Sequence, residues 1–120
     1  MLQRDRAVLT ALLDLCTHIT QTCRSVPDPQ GTFLRDYLFQ TRLCSSLIQL
    51  AQLNGDLSDQ LQEAAPPISW EVVDEVRGAY AIYCDPGNLE SVWDVLRFDV
   101  PMLAAFYQSV LTQSETGGTT

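Results

Sequence analysis

Few side chains in this sequence could carry out chemistry. His18 is the only imidazole, and the cysteines are Cys16, Cys23, Cys44 and Cys84, with no CxxC pair among them. Acid–base catalysis near neutral pH most often uses histidine, and a catalytic Ser-His-Asp triad or a mixed Cys/His zinc site also needs it. The sequence therefore predicts no metal and no cofactor. We interpret the cysteines as small buried thiols in a reducing compartment and His18 as a surface residue.

Arg77 is the cation of most interest, because Glu71, Asp74 and Glu75 precede it on the same predicted helix. A guanidinium can bind a phosphate, or it can form an ion pair with one of these carboxylates or with one across a subunit boundary. The sequence leaves these interpretations open. The three carboxylates follow the pattern of a solvated helix face and do not indicate a metal site.

The two tryptophans could stack on nucleic-acid bases or anchor a hydrophobic core. Trp70 and Trp93 both fall on predicted apolar helix faces, and no cluster of Lys and Arg surrounds them. Packing is therefore the favoured role for both residues.

Composition narrows the class of protein. The chain has 120 residues, with seven Lys and Arg against fifteen Asp and Glu and a net charge of −8. This charge disfavours a strong electrostatic hold on nucleic acid, so no DNA partner is expected. No apolar run reaches the length of about 18–20 residues that a membrane span needs, and the beginning of the chain lacks a signal-peptide pattern. A single cytoplasmic domain is expected.

Hydrophobic periodicity is helical almost throughout. A first helix begins near Asp5, and prolines with Gly31 end it. Its apolar stripe consists of Leu9, Leu12, Leu13, Cys16, Ile19 and Cys23. A second helix is predicted over about 32–54 and closes at Asn54-Gly55 in a left-handed turn. A short helix over 57–64 follows.

The second half of the chain predicts three further helical segments. Ser69 is a natural N-cap for the helix carrying Arg77, and Asn88 can cap the next one. Asp99 and Pro101 restart the chain for a last helix. The expected fold is all-α: an up-and-down bundle of four to five helices over residues 1–112, followed by a disordered tail over 113–120.

The segment from Trp70 to Phe106 resembles the C-terminal half of the HEPN domains of HepT-like ribonuclease toxins, which implies a HEPN-like bundle. The landmarks that carry this resemblance are Pro66, Pro67, Trp70, Val73, Arg77, Leu89, Val92, Trp93, Asp94, Asp99 and Pro101. In that family, the helix that begins at the tryptophan contains the motif Arg-x-x-x-x-His-x-Tyr. Arg77 matches the motif arginine, whereas Ile82 stands at the histidine position and Cys84 at the tyrosine position.

These replacements remove the chemistry that the resemblance implies. HEPN ribonucleases cleave RNA without metal through attack of a 2′-hydroxyl on the adjacent phosphate, which needs a proton acceptor. Ile82 cannot accept a proton. Cys84 is a poor substitute nucleophile, since Asp85 beside it would raise its pKa, and Tyr83 is rotated by about 100° from the motif position. His18 would have to act from another helix.

The resemblance also implies partners. Family members form homodimers and pair with an MNT-type nucleotidyltransferase, which in active systems transfers AMP to the motif tyrosine that is absent here. We therefore predict a non-catalytic dimeric interaction module. The alternatives are an active HEPN ribonuclease toxin, for which RNA would be a substrate, and an unrelated helical adaptor.

Overall fold

The computed structural model describes residues 3–81 and 88–117, and within these residues the predicted all-α helical bundle is confirmed. Four long helical units and two short helices make up the described part of the chain. The elements are α1 (Gln3–Arg24), α2 (Pro29–Arg35), α3 (Tyr37–Gly55), α4 (Asp59–Ala64), α5 (Trp70–Ala81), α6 (Leu89–Asp94), a π-helical turn (Val95–Asp99) and α7 (Val100–Gly117). No helix in these residues is long and apolar enough to cross a bilayer.

Helix α1 is central to the core, because it packs against both α3 and α7. Leu9, Leu12, Cys16 and Ile19 of its predicted apolar stripe are buried. Full burial of a leucine or isoleucine contributes about 1.5–3 kcal/mol to folding. The stripe therefore stabilises the contact of α1 with both neighbours.

Two polar contacts fix the direction of the helices around α1. The backbone N–H of Ser58, just beyond α3, donates to the buried carboxylate of Asp5 over 2.9 Å. Arg6 Nη2 donates to Ser114 Oγ near the end of α7 over 2.7 Å. The beginning of α1 therefore lies beside the ends of α3 and α7, as in an up-and-down bundle.

The single helix predicted over 32–54 is wrong, because Asp36 divides it into α2 and α3. Asp36 has extended backbone angles, φ −103° and ψ 109°. Its side chain accepts from the N–H groups of Leu38 and Phe39 at 3.0 and 3.2 Å, and its own N–H donates to the carbonyl of Thr32. Asp36 thus caps both helices, and its carboxylate satisfies two of the N–H groups that the break between α2 and α3 leaves without a helical acceptor.

Gly31 does not break the chain as predicted, but lies inside α2. Pro29 begins this helix, and Asp28 caps it by accepting the N–H of Gly31 at 3.1 Å. A Cβ atom at Gly31 would overlap the Asp28 carboxylate. A side chain at residue 31 would therefore displace the Asp28 carboxylate that caps α2.

Helix α3 ends at Gly55, as expected, but without the predicted left-handed turn. The φ angle of Gly55 is outside the left-handed region, and Asp56 follows with right-handed angles of φ −85° and ψ −8°. Asn54 is buried and accepts a hydrogen bond from the Tyr107 hydroxyl over 2.8 Å. This tertiary contact, and not a glycine cap, positions the end of α3.

The predicted restart at Asp99 and Pro101 is also wrong, because α6, the π turn and α7 form one continuous helix. Pro101 lacks an N–H, and in a regular α-helix its ring would clash with the carbonyl four residues earlier. The chain accommodates it with a wider turn, in which the N–H of Val100 donates to the carbonyl of Val95. Asp99 Oδ2 accepts the N–H of Ser69 over 3.0 Å and so joins this turn to the beginning of α5.

The last helix is longer than predicted. Residues 113–117 are helical where we expected a disordered tail, and Ser114 is held by Arg6. Residues 118–120 lie outside the described part of the chain, as do residues 1–2.

The Tyr107–Asn54 contact provides a test of the core. Burial raises the pKa of the Tyr107 phenol, so its hydroxyl remains a donor. We expect Tyr107→Phe to lower the free energy of unfolding by about 1–3 kcal/mol, because it leaves the Asn54 oxygen buried without its donor. Urea denaturation followed by circular dichroism measures this loss. The same change at the exposed Tyr37 should alter stability by less than about 0.5 kcal/mol; equal effects would contradict this role of the hydrogen bond.

Candidate functional site

Arg77 is exposed on α5, at the edge of the face that packs against the core. Val73 and Val76 are buried on that face and fix the rotation of the helix, and Arg77 follows Val73 by four residues. Arg77 Nη2 is 3.5 Å from Asp74 Oδ1, and both side chains are exposed. The structure thus contains the Arg77–Asp74 ion pair, which is one of the alternatives that the sequence had left open. Ile82, Tyr83, Cys84 and Asp85 lie outside the described residues.

The surface around Arg77 is acidic. Glu71, Asp74 and Glu75 are all exposed on α5, against the single guanidinium of Arg77. An exposed ion pair of this kind contributes about 0.2–1 kcal/mol. The pair neutralises Arg77 while two further carboxylates remain on the helix, so the local electrostatics oppose the approach of a phosphate.

His18 and Arg77 belong to different parts of the bundle. His18 is exposed on α1, which packs on α3 and α7, whereas α5 packs on α3 and α6. Among the described residues no hydrogen bond joins the two side chains. The structure therefore gives no support to His18 as a replacement proton acceptor beside Arg77.

A shallow groove of about 170 Å³ separates α5 from α6 and the π turn. It is lined by Ser69, Val72, Ser91, Asp94, Val95, Phe98 and Asp99. Phe98 is 54% exposed, and the guanidinium carbon of Arg97 lies 4.5 Å from the centre of its ring. Two carboxylates and an exposed aromatic ring suit contact with a basic side chain better than contact with RNA.

The two tryptophans act in packing, as predicted. Trp93 is buried, and its ring centre lies 5.6 Å from that of Phe33. Trp70 is partly buried and packs against the core at the beginning of α5. Neither ring is presented as a stacking platform.

The cysteine thiols in the described residues are unsuited to nucleophilic chemistry. Cys16 and Cys44 are buried in the core, as predicted, and Cys23 is half-buried. Burial raises the pKa of the Cys16 thiol to about 11 and also raises the pKa of Cys23. Both thiols are therefore neutral near pH 7. Within the same residues, no group of three or more potential ligands is placed to hold a metal ion.

Sequence reasoning missed the exposed apolar side chains. Tyr37 and Leu38 are 63% and 75% exposed at the beginning of α3, and Met102 is 44% exposed on α7. A signal was present, since no charged residue occurs from Val100 to Ser114. A stretch of helix without charge on any face is usually covered by other parts of a protein, which bears on Met102 but not on Tyr37 and Leu38.

The ion pair of Arg77 can be tested directly. We expect Arg77→Gln to change the free energy of unfolding by less than about 0.5 kcal/mol, because the pair is exposed. Asp74→Asn should have an effect of the same size, measured by urea denaturation. A loss above about 2 kcal/mol for Arg77→Gln alone would contradict this surface placement and would indicate a buried partner for the guanidinium.

Comparison with protein families, curated proteins and solved structures gave no match to this chain.

Proposed function

We propose that this chain is a non-catalytic HEPN module of the HepT-like type, which forms a homodimer and binds an MNT-type nucleotidyltransferase. The observation that carries the proposal is the replacement of the motif histidine by Ile82. A protein that keeps the packing residues of an enzyme and loses its proton acceptor retains a shape that partners can bind.

The chemistry of RNA cleavage explains why this replacement is decisive. The attacking 2′-hydroxyl must lose a proton, and the phosphate gains negative charge that a cation must stabilise. An isoleucine side chain can neither accept this proton nor stabilise the negative charge. The remaining cation, Arg77, is paired with Asp74 on an acidic helix face, so the second requirement is poorly met as well.

The residues that carry the resemblance have structural roles where they are described. Trp70 begins α5, and Val73, Val92 and Trp93 are buried in the core. Asp99 accepts the N–H of Ser69. These landmarks hold α5 against α6. Their structural role supports the proposal of a non-catalytic module whose shape is retained.

The outer face of α7 is the surface best suited to a homodimer. Met102, Ala105, Ser109 and Thr112 are exposed along it. Two copies of a chain with net charge −8 repel each other, so they approach most easily through a surface without charge. A two-fold interface brings the same patch from both copies together. An uncharged patch can meet its own copy without electrostatic repulsion.

The exposed face of α5 is suited to a different protein. Glu71, Asp74 and Glu75 are exposed there, and the adjoining groove adds Asp94 and Phe98. Acidic groups around an exposed ring favour a partner with basic side chains, and such complementarity raises association rates. We assign the nucleotidyltransferase to this face.

Incubation of RNA with the purified protein tests the loss of activity. We expect no cleavage above the buffer control from the wild type, and the same result from Arg77→Ala. The double variant Ile82→His, Cys84→Tyr restores the motif, and cleavage that appears in it and disappears with Arg77→Ala would support the HEPN assignment. Cleavage by the wild type that Arg77→Ala abolishes would instead show an active ribonuclease.

Light scattering tests the dimer and its surface. We expect about twice the monomer mass of 13.4 kDa at micromolar concentration, with little dependence on salt because the interface lacks charge. The pair Met102→Asp, Ala105→Asp should give a monomer, since it places like charges across the two-fold axis. Gln60→Asp on α4 is the matched control and should remain a dimer. A wild-type monomer would favour an unrelated helical adaptor.

A further inference from the structure

A second cleft lies where the end of α1, the beginning of α2 and the π turn meet. It has a volume of about 230 Å³. Most of its wall is apolar and consists of Ile19, Cys23, Pro29, Trp93, Leu96 and Pro101. An apolar cavity of about 150 Å³ is known to hold benzene. The cleft therefore has room for one ring or a short branched chain.

The charges at this cleft are opposite in sign to those of the whole chain. Arg24 and Arg97 contribute to its lining and no carboxylate does, although acids outnumber bases by fifteen to seven. Neither arginine forms a salt bridge among the described residues. Asp28, the acid nearest to Arg24 in sequence, is occupied by the Gly31 N–H and lies 3.9 Å from Arg35.

Arg97 is available to a ligand despite its present contact. Its guanidinium lies over the exposed Phe98 ring, which is a weak interaction at the surface. A carboxylate near the cleft would recruit Arg97 without breaking an ion pair. Cations that are placed beside an apolar cleft and lack carboxylate partners favour an anion that also has an apolar part.

Trp93 supplies an independent observation. It lines the cleft and is 7% exposed, and its indole Nε1 is buried without a hydrogen-bond acceptor in the described residues. Buried donors without partners are rare in folded proteins. A residue that lines the cleft thus carries a buried donor for which the described residues supply no acceptor.

We propose that this cleft binds a small organic carboxylate whose apolar part is a single ring or a short branched chain. The apolar part lies against Trp93 and Leu96, and the carboxylate is held by Arg24 and Arg97. The π turn is essential to this arrangement because it contributes Leu96 and Arg97, and π turns are frequent at functional sites. The proposal does not depend on the HEPN assignment.

The other polar groups of the cleft do not compete for the ligand. The Thr20 hydroxyl donates to the carbonyl of Cys16 over 3.0 Å. Burial raises the pKa of the Cys23 thiol, so it adds no negative charge at neutral pH. The two arginines therefore determine the electrostatics of the cleft.

Titration of the ¹⁵N-labelled protein with phenylacetate, followed by NMR, tests the proposal. We expect saturable shifts of the Cys23 and Leu96 amides and of the Trp93 indole N–H. Arg24→Gln and Arg97→Gln should each weaken binding about tenfold, the effect of losing one charge-assisted hydrogen bond. Arg42→Gln, at an exposed position on α3, is the matched control and should leave binding unchanged.

Two further arms separate the contributions of charge and apolar contact. Phenylacetamide, a neutral analogue, should bind the wild type at least about tenfold more weakly than phenylacetate. Inorganic phosphate should produce no comparable shifts. The proposal is overturned if neither phenylacetate nor 3-methylbutanoate gives saturable shifts, if binding survives both arginine changes together, or if phosphate binds equally well.

Discussion

Pro101 lies inside a continuous helix, and the arrangement of α6, α7 and their neighbours depends on how the chain accommodates it. A regular α-helix would bring the proline ring against the carbonyl of Arg97. The π turn removes this clash by shifting the hydrogen bonding to five-residue spacing, from the Val100 N–H to the Val95 carbonyl. Because the helix continues, Trp93 before the turn and Tyr107 after it both remain buried.

The same turn organises the surfaces of the molecule. Asp99, the last residue of the π turn, accepts the Ser69 N–H just before α5. This hydrogen bond positions the acidic face of α5. Phe98 and Arg97 point outward and separate the α5–α6 groove from the apolar cleft. An acidic face, an uncharged stretch of α7 and a cleft with two cations are thus attached to one continuous element. This uneven charge pattern adds support to the proposed interaction module, which rests first on the replacement of the motif histidine by Ile82.

Local sequence signals predicted much of the fold and failed where distant contacts decided the outcome. The apolar stripe of α1 and the Asn88 cap of α6, whose side chain accepts the Ser91 N–H, are readable from spacing and residue type. Asp36 is compatible with a helix interior or with a cap, and residue type alone does not decide between them. A proline usually marks a helix start, so Pro101 predicted a restart where the buried residues on both sides required continuity.

The candidate sites were only partly readable for the same reason. The sequence placed Arg77 next to three carboxylates and could not choose its partner. The cleft could not be anticipated, because Leu96 lies far along the chain from Cys23 and Pro29. Likewise, the sequence shows the uncharged run from Val100 to Ser114 but does not show which of its faces is exposed. The burial of Leu103 and Tyr107 in the structure identifies the outward face.

The unbroken helix from Leu89 to Gly117 has a geometric consequence. With a rise of about 1.5 Å per residue it is about 40 Å long, against 50 Å for the longest dimension of the molecule. It therefore extends as one continuous helix from the Asn88 cap of α6 to the far end of the bundle. Because no loop interrupts it, Trp93 at the apolar cleft and the outer surface of α7 belong to the same continuous element.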